Sequence, residues 1–280
     1  MNEEALGQAL QAARKAAGLT QQQLCQKAQL SYSTLAKIER GAIKAPSIFT
    51  IHAIADAVGL SLNELLGDLI PQKPQKKQSA TGIRFVYFDI NGCLVHFYHR
   101  AFTALAEASG KPADMIETTF WHYNDVVCRG EMPIEEFNAI LSEQLDQPNI
   151  DWRSYYLEAI EPIQEMQELV HWAAEYYQVG LLSNIMPGQI DQMLQKGLLP
   201  NVSYDAIIDS SEIRAIKPEE QIFTMASEQS GLETSELLLI DDSRANVMAA
   251  ERLGWRVLWF DAYRPVESVQ RVRDALRFED

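Results

Sequence analysis

The sequence predicts two domains, a five-helix all-α domain followed by an α/β domain with a doubly wound parallel sheet. Two patterns carry this prediction: apolar residues have helical spacing before residue 70, and apolar runs alternate with helical segments after residue 83. Between them, residues 71–82 are polar, include two prolines and lack an apolar period, which predicts a flexible linker. The 280 residues, 47% of them hydrophobic, suffice for two cores. We therefore predict domains at 1–70 and 83–280.

The N-terminal domain is predicted to contain five short helices. Thr20 and Ser31 are suitable N-caps, and Gly41 ends the third helix. The predicted helices cover 3–18, 20–28, 31–40, 47–58 and 61–67. The second and third helices are expected to share a core made of Leu24, Ala28, Leu30, Leu35 and Ile38.

This domain resembles the phage-repressor (Xre-like) helix-turn-helix family at its Leu19–Gln21, Ile38–Gly41 and Leu60–Leu66 segments. The resemblance implies binding to double-stranded DNA by a homodimer, with the second helix of the motif in the major groove. The residues at DNA-contacting positions of the family are Gln21, Tyr32, Ser33, Thr34, Lys37 and Arg40. A protein-interaction module is the alternative, because six basic residues in 1–70 are balanced by six acidic ones.

The C-terminal domain alternates apolar runs with helical segments, which is typical of a parallel sheet covered on both faces. Strands are predicted at 84–89, 178–182, 205–209, 237–241 and 256–260, and helices at 163–176, 188–196, 219–229, 244–253 and 265–276. Between the first two strands, residues 98–161 contain about four helical segments and no strand. An insertion there is expected to lie over the carboxyl edge of the sheet.

Polar residues lie at the ends of these apolar runs. Asp89 follows the first run, Ser183–Asn184 the second and Asp241–Asp242 the fourth, while Lys217 precedes a proline between two elements. The carboxyl ends of parallel strands meet at one edge, so these groups predict a site for an anion beside a divalent metal. Each has a plain structural alternative: a strand-end or helix cap for the polar and acidic residues, and a solvated loop for Lys217.

The four segments, in this order, resemble the haloacid-dehalogenase-like (HAD) hydrolase superfamily over about residues 83–262. The resemblance implies a Rossmann-like core at 83–97 and 162–280 and a helical cap at 98–161. It also implies a Mg2+-dependent phosphatase that acts on a small phosphorylated metabolite. In that chemistry Asp89 attacks phosphorus to form an aspartyl phosphate, and Lys217 neutralises the negative charge.

The resemblance assigns further roles around Asp89. Phosphoryl oxygens would accept hydrogen bonds from Ser183, from the Asn184 backbone and from Lys217. Mg2+ would be held by Asp89, by the backbone carbonyl of Asn91 and by Asp242. Asp241 would support Lys217 or the metal without contacting the substrate. Asn246 matches a family position that orients Lys217 or a metal-bound water.

Asn91 departs from the family pattern. Family phosphatases usually carry a second aspartate at this position, which serves as general acid and then as general base. An amide cannot transfer that proton, and acid–base help is typically worth about 100- to 10,000-fold in rate. The sequence therefore predicts slow or substrate-assisted turnover. The alternative is a transcriptional regulator that senses a phosphometabolite through a weakly active or inactive HAD-like domain.

The insertion offers candidate substrate contacts without a readable motif. They are His96, His99, Arg100, His122 and Arg129, for which surface or interface roles are the alternative. Trp121 and Tyr123 are expected either to form an aromatic wall over the site or to pack in the core.

Charge and composition argue against several other classes of function. The net charge is −15, and residues from 83 onward carry 15 basic and 33 acidic side chains, so this part should repel nucleic acid and anionic membranes. The three cysteines lack metal-binding spacing, which favours free thiols in a reducing compartment. No apolar run reaches the roughly 20 residues that span a bilayer. We therefore expect a cytoplasmic protein with no membrane contact.

Overall fold

The computed structural model describes residues 3–43, 45–66, 76–96 and 99–278. The chain divides into two compact units, Met1–Gln75 and Lys76–Asp280. Within the described residues, no helix is both long enough and apolar enough to cross a membrane.

The first unit is the predicted bundle of five helices: α1 Glu3–Ala16, α2 Gln21–Ala28, α3 Tyr32–Glu39, α4 Ile48–Val58 and α5 Leu62–Leu66. Thr20 and Ser31 cap α2 and α3 by accepting backbone N–H groups of the first turn, as predicted. The core contains Leu24, Leu35 and Ile38 together with apolar residues of α1 and α4. Leu30, predicted in this core, is only partly buried.

A buried ion pair joins α1 to the end of α3. The guanidinium of Arg14 donates to both carboxylate oxygens of Glu39, at 2.6 and 2.9 Å, and Gln21 donates to Glu39 at 2.8 Å. A buried charge that loses its partner keeps its desolvation cost and is no longer compensated. This pair therefore fixes how α1, α2 and α3 meet.

Replacing Glu39 by methionine is expected to lower the free energy of unfolding of the first unit by about 3–5 kcal/mol, because Arg14 is then buried without a carboxylate. All five tryptophans lie at or beyond residue 121, so circular dichroism should show an earlier helical transition while tryptophan fluorescence does not shift. Lys15→Met, which removes an exposed charge on α1, is the control. A loss below about 1 kcal/mol, the usual value of a surface pair, would contradict this role.

The second unit is built on five strands. In chain order its elements are β1 Phe85–Phe88, α6 His99–Ser109, α7 Ala113–Cys128, α8 Ile134–Gln144, α9 Trp152–Ala159, α10 Gln164–Tyr176, β2 Gln178–Ser183, α11 Gln189–Gln195, β3 Ala206–Asp209, α12 Ser210–Ile213, α13 Glu220–Ser230, β4 Leu237–Asp241, α14 Arg244–Arg252, β5 Arg256–Trp259 and α15 Pro265–Ala275. The strands are all parallel in the order β3-β2-β1-β4-β5. This confirms the predicted doubly wound sheet.

The sheet separates two apolar cores. Val86 and Phe88 of β1 face one core, and Phe85 and Tyr87 face the other, as the two-residue period of a strand requires. Because β1 is covered on both faces, its end delivers the next residue, Asp89, to a sheltered edge.

The insertion between β1 and β2 consists of the helices α6 to α9, in agreement with the four predicted segments. Its core is aromatic: Phe102 and Phe120 pack against Trp152, and Phe137 joins them. Tyr123 packs beside Phe137, which favours the core interpretation for that residue. The short α12 and a 3-10 helix at Thr234–Glu236 were not predicted, because three or four residues show no helical period.

Residues 71–75 of the predicted linker lie outside the described residues. Residues 76–82 differ from the prediction of a flexible segment. The backbone N–H of Lys77 donates to the carbonyl of Tyr176, that of Ala80 donates to Arg277, and Ser79 is buried. The acceptors lie just where α10 and α15 end, and carbonyls there lack partners within the helix. Local composition does not reveal such tertiary partners.

Candidate active site

The carboxyl ends of β1, β2 and β4 bring the predicted polar residues together. Asp89 follows β1, Ser183 ends β2, and Asp241–Asp242 closes β4. Since β1 lies between β2 and β4, these groups meet around Asp89. Lys217 enters from the loop between α12 and α13.

Asp89 is the centre of this cluster. Its side chain is buried, and Oδ1 accepts a hydrogen bond from Ser183 Oγ at 2.8 Å. The ammonium of Lys217 lies 2.8 Å from the same oxygen. Burial raises the pKa of Asp89, Lys217 acts against that rise, and the negative charge of Asp241 adds to it.

Lys217 is held by a second carboxylate. Its ammonium donates to Asp241 Oδ2 at 2.5 Å and to the carbonyl of Leu182 at 2.8 Å. Burial alone would lower the pKa of Lys217, but the charges of Asp241 and Asp89 outweigh it and raise the pKa. The lysine is therefore a fixed positive charge at neutral pH.

Asp241 in turn is held by its own partners. Asn246 donates its amide to both carboxylate oxygens at 3.1 Å, and the backbone N–H of Ser243 donates at 2.8 Å. Asn246 was expected to orient Lys217 or a metal-bound water. In the structure it contacts Asp241, so any effect on Lys217 passes through that carboxylate.

Two hydrogen bonds of the Asn184 side chain hold the backbone of Lys217. Its side-chain oxygen accepts the backbone N–H of Lys217 at 2.7 Å, and its amide donates to the carbonyl of Lys217 at 2.8 Å. The Lys217–Pro218 peptide bond is cis. The Asn184 side chain thus positions Lys217, a role that its sequence neighbourhood did not indicate, whereas the predicted phosphate contact concerned its backbone.

Three side chains could surround a metal ion beside Asp89. Ligand atoms of Asp89, Cys93 and Asp242 lie within 4.8 Å of one another. Burial raises the pKa of the Cys93 thiol, and nearby carboxylates raise it further, so it stays a neutral thiol that Mg2+ does not favour as a ligand. The two carboxylates are hard oxygen donors of the kind that Mg2+ takes.

The carboxylate of Asp242 is repelled by two other carboxylates, an effect that Lys217 only partly offsets. Burial, followed by repulsion from Asp89 and Asp241, raises the pKa of Asp242 to about 7. Its backbone carbonyl accepts the indole N–H of Trp259 at 2.7 Å, which fixes this loop at the end of β5. A divalent cation would relieve the repulsion between the carboxylates, so the residues present fit Mg2+.

Gly92 lies against the carboxylate of Asp242 on the other side of this candidate metal site. A Cβ atom at residue 92 would lie 2.1 Å from Asp242 Oδ2, and the backbone has a φ of +81°. Only glycine combines that conformation with so close an approach. Gly92 therefore lets the loop after β1 close against Asp242.

Gly92→Ala is expected to lower the affinity for Mg2+ by roughly 10- to 100-fold, because the methyl group displaces the Asp242 carboxylate. Calorimetric titration with Mg2+ measures this directly. Gly110→Ala is the matched control, since Gly110 has a φ of +69° but nothing lies within 4 Å of its Cβ position. Equal Mg2+ affinity for both variants would contradict the placement of the metal beside Asp242.

Asn91 contacts a residue that the sequence gave no reason to select. The hydroxyl of Tyr156, on α9 of the insertion, donates to Asn91 Oδ1 at 2.8 Å. Tyr156 is buried, and burial raises the pKa of its phenol, so it remains protonated as a donor. No local pattern links positions 65 residues apart, and only the packing of the insertion reveals this contact.

The site opens into a cleft of about 360 Å³ between the sheet edge and α7. On the core side it is lined by Asp89, Asn91, Lys217 and Asp242, together with other loop residues. Trp121, Asn124 and Asp125 line it from α7. Trp121 is 45% exposed and also packs edge-on against Phe120, so it forms one wall of the cleft.

The other candidates from the insertion lie elsewhere. His96, His99 and Arg100 line a separate cavity of about 640 Å³, which reaches Gly92 and Asp242 from another side. Arg129 forms an ion pair with Glu219 of the core. His122 is exposed and packs edge-on against its neighbour Tyr123.

The predicted DNA-contacting residues divide into two groups. Tyr32, Ser33 and Lys37 are exposed along α3, and Arg40 is exposed just beyond it. By contrast, Gln21 is half-buried with its amide donated to Glu39, and Thr34 is half-buried with its hydroxyl against that of Ser31. Three of the four exposed residues therefore lie on one helix, α3.

Comparison with known families agrees with this geometry. Residues 83–254, more than half of the chain, match the haloacid dehalogenase-like hydrolase family. The chain belongs to this family. Residues 10–65 match the helix-turn-helix family. Both resemblances stated from the sequence are therefore confirmed, and so is the predicted fold class.

Solved structures resemble this HAD member over about two thirds of its length. A HAD-like family hydrolase from Porphyromonas gingivalis is 27% identical with a TM-score of 0.58, covering 68% of this chain and 98% of that chain. A HAD family enzyme from Bacteroides thetaiotaomicron, solved with magnesium and inorganic phosphate, is 21% identical with a TM-score of 0.55. That match covers 65% of this chain and 96% of the other.

A curated relative matches a shorter part of the chain. Over 63 residues the chain is 44% identical to the immunity repressor protein of Bacillus phage phi105. This stretch is 22% of the chain and 43% of the repressor, so the chain spans less than half the length of that relative.

Proposed function

We propose that this HAD family member is a Mg2+-dependent phosphatase that acts on a small phosphorylated metabolite through an aspartyl phosphate on Asp89. One observation carries the proposal: Asp89 Oδ1 lies 2.8 Å from both the Lys217 ammonium and the Ser183 hydroxyl, with Asp242 beside it. A buried nucleophile, a fixed cation and a hydroxyl donor are the groups that phosphoryl transfer needs.

Asp89, Lys217 and Ser183 have separate roles in the proposed reaction. Lys217 and Ser183 both contact Oδ1 of Asp89, and this carboxylate is the group that we expect to attack phosphorus. Lys217 remains protonated between Asp89 and Asp241 and stabilises charge on the phosphoryl oxygens. When the substrate binds, the Ser183 hydroxyl donates its hydrogen bond to a phosphoryl oxygen instead of to Asp89.

Mg2+ fits beside these groups. Asp89, Asp242 and the backbone carbonyl of Asn91 would hold the ion, which supplies positive charge that orients and neutralises the phosphate. The magnesium and phosphate bound to the Bacteroides thetaiotaomicron relative support this assignment.

A ligand-sensing regulator is the second candidate, and Asn91 is the observation that favours it. The carboxamide replaces a proton-transferring group while the phosphate-binding residues remain, so binding would persist with little turnover. In that case the bound and free forms must differ in their affinity for DNA.

The hydrolase proposal is tested by measuring phosphate release from a panel of phosphomonoesters and acyl phosphates, with Mg2+ and with a chelator. We expect slow release that requires Mg2+. It should be lost in Lys217→Met, because the negative charge on the phosphoryl oxygens is then no longer neutralised by the lysine. Lys111→Met, at an exposed pair in the insertion, should retain full activity. Tight binding of panel members without release, in both wild type and Asn91→Asp, would favour the sensor.

We also propose that the N-terminal unit binds double-stranded DNA as a homodimer, with α3 in the major groove. Tyr32, Ser33 and Lys37 would meet the bases, and Thr34, Arg40 and Gln21 would lie at the edge of the contact. The exposure of the first three residues and the similarity to a phage immunity repressor support this assignment.

Lys37→Ala is expected to weaken DNA binding by roughly 5- to 150-fold, because a lysine contact to a base or phosphate is lost. The measurement is fluorescence anisotropy on duplexes selected from a random-sequence library by the full chain. Lys15→Ala, on α1, should bind as the wild type does. Failure of the wild type to select any duplex would instead indicate a protein-interaction module.

A further inference from the structure

The orientation of Asn91 limits what it can contribute to the cleft. Its side-chain oxygen is engaged by the Tyr156 hydroxyl at 2.8 Å, and Asn91 also lines the cleft beside Asp89. The group that remains for a ligand is the amide N–H, which donates a hydrogen bond but neither gives nor accepts a proton. Asn91 therefore acts as a fixed donor rather than as an acid or base.

No other group described along the cleft takes over this task. The titratable residues among the described lining are Asp89, Asp125, Lys217 and Asp242. Asp89 is the nucleophile, Lys217 is paired with two carboxylates, and Asp242 faces the metal site. Asp125 is exposed on α7 and accepts the amide of its neighbour Asn124.

The missing proton donor affects formation of the aspartyl phosphate. When Asp89 attacks phosphorus, the bond from phosphorus to the leaving oxygen breaks and its electron pair stays on that oxygen. An alkoxide leaves poorly without a proton, since its conjugate acid, an alcohol, is about as weak an acid as water. A carboxylate leaves readily, because its conjugate acid has a pKa of about 4.

The missing base affects the second step. Water must attack phosphorus, the bond to Asp89 breaks, and its electron pair returns to the carboxylate. The proton of the attacking water then has to pass to the phosphoryl group itself or to solvent. Loss of a positioned base typically slows such a step by about 100- to 10,000-fold.

We propose that Asp89 takes its phosphoryl group from acyl phosphates and keeps it as a long-lived aspartyl phosphate. This inference rests on the proposed nucleophilic role of Asp89. The lining of the cleft supports a small donor with a single phosphoryl group, since Lys217 is the one Lys or Arg among its described residues. Trp121, Asn124 and Asn184 add uncharged side chains to the lining, beside the exposed carboxylate of Asp125.

The test compares acetyl phosphate with glycerol 1-phosphate on the full chain in the presence of Mg2+. Acid-quenched samples are weighed by intact-protein mass spectrometry, and phosphate release is followed in parallel. Acetyl phosphate should add one phosphoryl group, which persists after the donor is removed, while glycerol 1-phosphate should add none. In Asn91→Asp the phosphorylated form should decay roughly 100-fold faster or more, and glycerol 1-phosphate should become a substrate.

The outcomes separate this inference from the proposed function. Wild-type turnover of both donors within about tenfold of each other, with no phosphorylated protein, would overturn the inference and leave the phosphatase intact. Wild-type turnover of glycerol 1-phosphate that is lost in Asp125→Asn would also overturn it, because Asp125 would then be the proton donor. If neither wild type nor Asn91→Asp reacts with either donor, the nucleophilic role of Asp89 fails as well.

Discussion

Asp89→Asn is expected to lower Mg2+-dependent phosphate release by roughly 10,000-fold or more, because the amide oxygen is too weak a nucleophile to replace the carboxylate. The two side chains have the same shape, and Lys217 keeps its ion pair with Asp241, so the fold should survive. The measurement is initial-rate phosphate release at saturating donor, together with thermal unfolding.

Asp191→Asn serves as the control for this substitution. Asp191 is exposed at the start of α11 and lies outside the cleft, so its loss should leave the rate unchanged. Residual activity of Asp89→Asn within about tenfold of the wild type would show that another group attacks phosphorus.

Asn91→Asp is expected to raise the turnover of alkyl phosphates by about 100- to 10,000-fold, because it supplies the acid and base that both steps lack. Tyr156 should donate its hydroxyl to the new carboxylate as it does to the amide, so the side chain keeps its position. Steady-state rates on glycerol 1-phosphate measure the gain.

A matched substitution separates proton transfer from added charge. Asn124→Asp also introduces a carboxylate into the wall of the cleft, but on α7 rather than beside Asp89. It should give no comparable gain. If Asn124→Asp and Asn91→Asp accelerate the reaction equally, negative charge rather than position explains the effect.

The sequence predicted the sheet and the meeting of its strand ends because both depend on short-range patterns. Buried apolar runs such as Phe85–Phe88 are recognisable without tertiary information, and parallel strands bring their ends to one edge. Thr20 and Ser31 were recognisable as N-caps for the same reason, since capping is decided within one turn.

Contacts between distant segments were not predictable from these patterns. Tyr156 meets Asn91 only after α9 folds over the sheet edge, and Asn184 reaches the backbone of Lys217 across 33 residues. The hydrogen bonds that hold residues 76–82 near the ends of α10 and α15 also join segments that are far apart in the sequence. The close approach of Gly92 to Asp242 likewise depends on two loops that the sequence describes separately.

The measurement that tests the central claim most directly is the binding of beryllium trifluoride, a stable mimic of a phosphoryl group on a carboxylate, followed by fluorine NMR. It reports on the Asp89 site without requiring turnover, which we expect Asn91 to slow. We predict a complex of one mimic per chain that requires Mg2+ and is absent from Asp89→Asn. Equal binding by Asp89→Asn, or no complex with the wild type in Mg2+, would contradict the assignment of Asp89 as the residue that receives the phosphoryl group.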